Sequence, residues 1–175
     1  MSTSPHTPTD AEIHGMEMEY SALRSEIVKR IEMRQQIVAI TLTLAGVFLA
    51  FGASTASVVL IYPLLAMFLG FGWAQNDFRI KESARYIRDH LEGKIPGLGY
   101  EGHVQRQREA TPISRGIGLS YIGICFLTQW MAIGIGALKF TTGPLEWILL
   151  GVDLIAVAAV VWLMIQALRG WAKTA

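Results

Sequence analysis

Hydrophobic and polar positions divide this chain into long blocks. From Gln35 to Asn76 there is no Lys, Arg, Asp or Glu in 42 residues, and the weakly polar turn Gly52-Ala53-Ser54-Thr55 falls near the middle. A helix needs about 20 apolar residues to cross the roughly 30 Å of bilayer hydrocarbon, so this block predicts two crossings joined by a tight turn. A second apolar block, Gly116 to Leu168, repeats the arrangement around Thr141-Thr142-Gly143-Pro144. The expected fold class is all-α: a polytopic membrane protein with four transmembrane helices in two hairpins, 37–52 with 57–75 and 116–138 with 145–168.

The segments outside these blocks carry their own patterns. Residues 1–10 (MSTSPHTPTD) are rich in Ser, Thr and Pro and read as disordered. Asp10, or Thr9 before it, is a plausible helix N-cap. Ile13, Met16, Tyr20, Leu23, Ile27 and Ile31 then recur every three or four residues, the spacing of one helix face. The pattern predicts one continuous helix from about Glu12 to about Phe51, with its 11–36 portion in water. Ser57 to Trp73 recross, with Pro63 placed to kink that helix. The helix continues to about Glu92 along a seam of Ile80, Ala84, Ile87 and Leu91, and Gly93 is expected as the terminator. Glu26/Arg30, Asp77/Lys81 and Arg85/Asp89 are spaced as i,i+4 ion pairs. The first two helices therefore extend into the cytoplasm as an antiparallel pair. Their apolar stripes must bury each other, a partner or the bilayer surface.

Gly93 to Gly102 reads as a loop, and His103 to Ala110 as a short helix or a mobile stretch. Thr111-Pro112 marks a boundary at the end of the cytoplasmic segment 76–115. Lys139 ends the third span. Trp147 and Trp171 flank the fourth, where an amphipathic ring suits the membrane interface, and 169–175 form a tail.

Charge changes the picture by giving it a direction. Of 15 Lys and Arg, four precede the first span, eight lie in Asn76–Arg115, two follow the last span and only Lys139 lies in a short turn. Cytoplasmic loops carry the excess of Lys and Arg, so both termini and the central segment are expected inside the inner (plasma) membrane of a bacterial cell. No cleavable signal is evident ahead of Ile37, and the first span is expected to stay as an anchor. A net charge of +1 gives no reason to expect nucleic acid as a partner. The lone Cys125 excludes an intrachain disulfide.

Asp153 is the most informative single residue. It lies about 12 Å into the fourth span, and intramembrane carboxylates usually face a bundle interior or a wet cavity. Gln129 in the third span falls at a similar depth with Thr128 beside it, and an antiparallel hairpin would bring Gln129 and Asp153 together. Either a structural interhelical hydrogen bond or a proton- or ion-handling site follows. Small residues recur in the spans (Gly46 with Ala50, Gly70, Gly72, Gly116, Gly118, Gly123, Ala132 with Gly136) and permit close helix packing within the chain or between copies. Outside the membrane, Arg24, Lys29, Arg30, Arg79, Lys81, Arg85 and Arg88 form either a solvated helix face or a site for an anionic ligand or lipid headgroup.

Soluble chemistry finds little support. His6, His14, His90 and His103 lack metal-ligand spacing. Gly118-Leu119-Ser120-Tyr121-Ile122-Gly123 departs from a nucleophile elbow, and the Gly93–Gly102 loop lacks G-K-[ST] before a helix. No catalytic residue, metal or cofactor is expected, and the protein is not expected to be an enzyme.

The stretch Glu19-Tyr20-Ser21-Ala22-Leu23-Arg24-Ser25-Glu26-Ile27 with Arg30 and Arg34, together with Asn76-Asp77-Phe78-Arg79-Ile80 and Tyr86-Ile87-Arg88, resembles small bacterial four-span integral membrane proteins. The resemblance covers the first hairpin, about 75 residues. Some proteins of that build serve as membrane effectors in bacterial defence, and no catalytic or ligand residue carries over. The sequence thus favours a non-enzymatic membrane protein that self-associates, an effector or pore controlled through its cytoplasmic helices. The alternatives are a small ion or proton channel or transporter using Asp153, and a passive anchor or assembly subunit. Expected partners are the lipid bilayer, further copies of the chain, and a cytoplasmic protein or small anionic ligand.

Overall fold

In the computed structural model the described residues are 9–52, 55–95, 97–110, 113–139 and 143–172, with side chains described except at 108–110, 113–119, 164 and 167–172. The residues before Thr9, the turn residues Ala53, Ser54, Thr141 and Thr142, the Thr111-Pro112 boundary and the residues after Ala172 lie outside them. The elements are α1 (Asp10–Gly52), α2 (Ala56–Val59), α3 (Tyr62–Tyr86), a π-turn (Ile87–Leu91), α4 (Tyr100–Ala110), α5 (Ile113–Leu138) and α6 (Pro144–Ala172). Every regular element among the described residues is helical. Four helical stretches are long and apolar enough to cross a membrane: α1, the run Ala56–Leu91, Ser120–Leu138 and Pro144–Leu163.

Local chemistry sets the helix ends. Thr9 is the cap of α1: the Glu12 carboxylate accepts its backbone N–H at 2.7 Å and its hydroxyl at 2.9 Å, while Thr9 Oγ1 accepts the Glu12 N–H at 3.4 Å. This reciprocal box satisfies donors that a helix start otherwise leaves open. From there α1 runs unbroken to Gly52, as its periodicity predicts. α6 opens on Pro144, a residue suited to the first helical position because its absent N–H would have had no helical partner.

The second apolar stretch departs from expectation. It is interrupted rather than kinked. Pro63 cannot donate to the carbonyl four residues earlier, so α2 closes at Val59. The Leu60 N–H reaches the Ala56 carbonyl at 3.2 Å and the Ile61 N–H reaches that of Val58 at 3.3 Å. α3 then restarts at Tyr62, with Pro63 in its first turn.

The chain forms two compact units, 1–33 with 76–111 and 34–75 with 112–175. In the second unit, α5 packs on α6, and α2 packs on both. Two apolar clusters make its core. One joins Ala45, Val59, Leu60, Tyr62, Ala66 and Ala132, with Leu149 packed against it. The other joins Trp73, Tyr121, Ile122, Cys125 and Val160, with Ile37, Val38 and Met67 packed against it. Gly52 and Gly136 permit two close approaches: an added Cβ would lie 2.6 Å from Val59 Cβ and 2.5 Å from Leu60 Cδ2 respectively. At Gly46, Gly70 and Gly123 a Cβ would meet nothing within 4 Å, so close packing within the chain does not explain those glycines.

In the first unit, the two apolar stripes bury each other. Ile27, Ile87 and Leu91 form a cluster with Met16, Tyr20, Leu23, Ile80 and Ala84 around it, and each fully buried aliphatic side chain stabilises such a cluster in water by about 1.5–3 kcal/mol. Tyr86 also donates to Glu19 at 2.9 Å. Three local expectations are corrected here. The helix ends in a π-turn, with the Glu92 N–H on the Ile87 carbonyl at 3.0 Å. This wider turn shifts the i,i+4 register, and Asp89 pairs with Arg88 at 2.8 Å instead of Arg85. The helix closes at Leu91 with Glu92 as its cap, so Gly93 follows the end as expected, while the left-handed glycine among the described residues is Gly97, at φ 86°. The loop is also shorter than Gly93–Gly102, because α4 begins at Tyr100. The Glu92 carboxylate accepts the backbone N–H groups of Glu101 and Gly102, the latter at 2.9 Å. It thereby caps α4 from outside and fixes where the helix starts.

Candidate functional site

Asp153 is fully buried, while its neighbours Leu154 and Ile155 are 56% and 68% exposed. The fourth apolar helix therefore turns its carboxylate inward and its aliphatic side chains outward, the reverse of a helix in water. On α6, Leu149 belongs with the first apolar cluster and Val160 with the second, and Asp153 falls between them. The same layer can be read on the other helices. On α5, Thr128 and Gln129 fall between Cys125 and Ala132; on α1, Thr41 falls between Val38 and Ala45. Thr41, Gln129 and Asp153 are all fully buried. A polar layer thus crosses the bundle between two apolar ones.

Its hydrogen bonds show what is satisfied. Gln129 Nε2 donates to the Pro63 carbonyl at 2.9 Å, just past the interruption between α2 and α3. Tyr62 donates its hydroxyl to Thr128 Oγ1 at 2.8 Å, and Thr128 donates to the Ile124 carbonyl at 2.8 Å. Thr41 donates to the Ile37 carbonyl at 2.7 Å and lies 3.1 Å from the Tyr121 hydroxyl. Because the Thr41 proton is committed to its own helix, Tyr121 is the donor in that contact. These bonds tie α1 and α3 to α5. Among the described residues three buried side-chain oxygens accept none: Gln129 Oε1 and both carboxylate oxygens of Asp153. The expected direct bond between Gln129 and Asp153 is thus not made, since the Gln129 amide is taken by Pro63.

Other features of this unit escaped sequence reasoning. Glu146 is 6% exposed and lies seven residues before Asp153, which puts both acids on one face of α6. That spacing was readable as a signal. Thr41, Tyr62 and Tyr121 carried no such signal, because single hydroxyls are common in apolar helices. Trp73 stacks on Tyr121 with centroids 4.8 Å apart, and the Arg34 guanidinium stands 5.6 Å over the Trp73 ring.

The basic residues of the first unit are mostly paired. Arg24 pairs with the buried carboxylate of Glu101 and stands 4.8 Å over the Tyr100 ring. Arg30 meets Glu26 at 2.6 Å, Arg79 meets Glu82 at 2.9 Å, Lys81 meets Asp77 at 2.6 Å and Arg88 meets Asp89. An anion arriving at any of these five would have to displace a carboxylate already there. Lys29 lines an open groove along α1, about 740 Å³, beside Arg24 and Glu32. Arg85 lies close enough to Asp89 to help hold that carboxyl below its ordinary range. Exposed pairs of this kind stabilise by about 1 kcal/mol or less. No group of three or more metal-ligating His, Cys, Asp or Glu occurs among the described residues.

Comparison with known protein families, with curated proteins and with solved structures finds no match.

Proposed function

We propose that this chain is a multi-pass membrane protein that passes a small cation through the bilayer by way of Asp153. In this reading α1 with α2–α3, and α5 with α6, are two transmembrane hairpins. The distribution of Lys and Arg puts both termini and the segment around α4 in the cytoplasm of a bacterial cell. The protein is not an enzyme; its work is done by binding and release.

The observation that carries the proposal is the complete burial of Asp153 with no donor to either oxygen among the described residues. A charged carboxylate at the centre of a membrane helix costs roughly 2.5–3.5 kcal/mol or more. For helix packing alone an apolar residue would serve better. The interrupted second span supports the same reading, because non-helical backbone at membrane depth is tolerated where it is buried in protein or lines a cavity. Discontinuous helices recur at the ion sites of transporters, and here Gln129 binds beside the interruption.

The test is flux into vesicles reconstituted with purified protein, wild type against Asp153→Asn. Equal flux with equal protein incorporation would falsify the proposal.

A second reading, an assembly of several copies acting as a membrane effector, draws on α1. Its apolar window is 17% buried within the chain, against 44% for Ala56–Leu91, so α1 presents most of that surface to lipid or to another copy. Cross-linking in detergent tests it, and strictly monomeric protein counts against it. A cytoplasmic protein partner or an anionic ligand would then act on the α1–α3–α4 unit.

A further inference from the structure

We infer that the stacked rings of Trp73 and Tyr121 are the cytoplasmic gate on the path to Asp153. This rests on the transport proposal above and adds where its path is shut and by which side chains.

Two helices place the rings at the same level. On α6, Val160 lies seven residues past Asp153, two turns along the same face and about 10 Å toward the C-terminal end. Val160 belongs to the buried cluster of Trp73, Tyr121, Ile122 and Cys125. On α1, Arg34 lies seven residues before Thr41, again two turns. Thr41 is in the polar layer and meets the Tyr121 hydroxyl at 3.1 Å, while the Arg34 guanidinium stands 5.6 Å over the Trp73 ring. The ring pair therefore lies between the polar layer and Arg34, toward the end that the proposal above puts in the cytoplasm.

This level is closed. Trp73 is 6% exposed and Tyr121 5%, and their ring centroids stand 4.8 Å apart at an interplanar angle of 22°. Between Asp153 and Val160 the buried face of α6 is Ala156 and Val157, whose side chains offer a passing cation no oxygen. Taking a charge through dry apolar packing carries a heavy desolvation cost, so a cation exchanges between the cytoplasm and Asp153 only when this level opens. The stack is the contact that can give, because two flat rings part when one side chain turns to another staggered well. Three contacts restrain it: the stack itself, the Tyr121 hydrogen bond to Thr41, and Arg34 over Trp73. They join α1, α3 and α5, and Arg34 is a positioning residue for the Trp73 ring.

Cys125, the one cysteine of the chain, is 1% exposed in the same cluster and serves as the reporter. A charged, membrane-impermeant thiol reagent is applied to inside-out and to right-side-out membrane vesicles, and cation flux is followed in vesicles reconstituted with the same proteins. Wild type should react slowly from either side. Trp73→Ala should react about tenfold faster from the cytoplasmic side alone, the upper range for loss of one aromatic pair, and should pass cation faster than wild type. Trp73→Phe, which keeps a ring for the stack, should fall between on both measures. A residue that merely packs would lower flux when truncated rather than raise it. Asp153→Asn added to Trp73→Ala should abolish the extra flux and leave the fast labelling. Rapid labelling of wild-type Cys125 from the cytoplasmic side, a result that needs no variant to fold, overturns the inference. So does Trp73→Ala with unchanged labelling, with acceleration from both sides, or with reduced flux; each leaves the transport proposal standing. Extra flux that survives Asp153→Asn overturns both. Absence of flux in every protein overturns the transport proposal, and the sidedness of labelling then decides by itself whether the rings close that side.

Discussion

Gln129 holds the Pro63 carbonyl at 2.9 Å, linking α5 to the first turn of α3 directly after the interruption in the second apolar stretch. One side chain therefore supports a weak point of the backbone, while its own oxygen accepts no hydrogen bond among the described residues. Gln129→Leu should lower stability in detergent by about 1 kcal/mol, the usual net contribution of one hydrogen bond. Thermal unfolding measures it. If the support matters only where the helix is interrupted, Gln129→Leu should cost less in a Pro63→Ala background than in the wild type.

Close approach of helices predicts a graded set of glycine variants. At Gly52 the new methyl would meet Val59 Cβ, which moves only with its backbone, whereas at Gly136 it would meet the flexible end of Leu60. Gly52→Ala should cost about 1–3 kcal/mol, the range for overpacking. Gly136→Ala should cost less, and Gly123→Ala nothing. Val59→Ala should recover little of the Gly52→Ala loss, because alanine keeps the Cβ that the new methyl meets, and the melting temperature of the double variant measures it.

Glu146 and Asp153 share the buried face of α6, about 10 Å apart along the axis. If the transported cation reaches Asp153 along that face, Glu146→Gln should slow flux into vesicles at equal protein incorporation. An unchanged rate would mean that the path runs elsewhere.

The attachment of α4 depends on two carboxylates. Glu101 is buried against Arg24, and Glu92 caps the helix. Arg24 is 33% exposed, which weakens the pair through screening, so Arg24→Ala should cost about 1–2 kcal/mol. Hydrogen exchange is the decisive readout: protection at Tyr100–Gln107 should fall in Arg24→Ala and in Glu92→Gln, with the α1 amides beyond Arg34 unaffected.

Two exposed groups set opposite pH limits on the first unit. Glu19 accepts the Tyr86 hydroxyl, and its negative charge opposes the phenolate, which together push the Tyr86 phenol above its ordinary value of 10.0. That contribution is complete below the ordinary value and lost as pH rises through the raised one. The Arg88 hydrogen bond holds the Asp89 carboxyl below its ordinary 3.8; its contribution is present above that value and disappears as pH falls through the lowered one. Ultraviolet titration should show one late-ionising tyrosine fewer in Tyr86→Phe than in the wild type. Both groups face solvent, so the effect on overall stability should be small.

Tags at Thr55 and at Gly99 test the orientation. They should report opposite compartments in intact cells. Labelling of both from one side would remove the two-hairpin arrangement and the membrane path through Asp153 with it.

Much of the architecture follows from residue order alone. Forty-two uncharged residues before Asp77 can satisfy their backbone in hydrocarbon only as helices, and the periodicity from Ile13 to Ile31 gives α1 its length. The burial of Asp153 was also legible, because a lone acid in an apolar run has few tolerable directions to face. What the sequence could not supply was the partner of each polar atom. The layer of Thr41, Gln129 and Asp153 depends on the rotation of three helices about their axes, and many rotations keep the same apolar faces inward. The donors decided the rest: Pro63 takes the Gln129 amide, so Asp153 goes without it. The start of α4 was likewise set by Glu92 and Arg24, which lie outside α4 itself. Solvent preference acts on each residue separately and can be read in order along a chain. Hydrogen-bond allocation is a competition among groups distant in sequence, and only the assembled helices settle it.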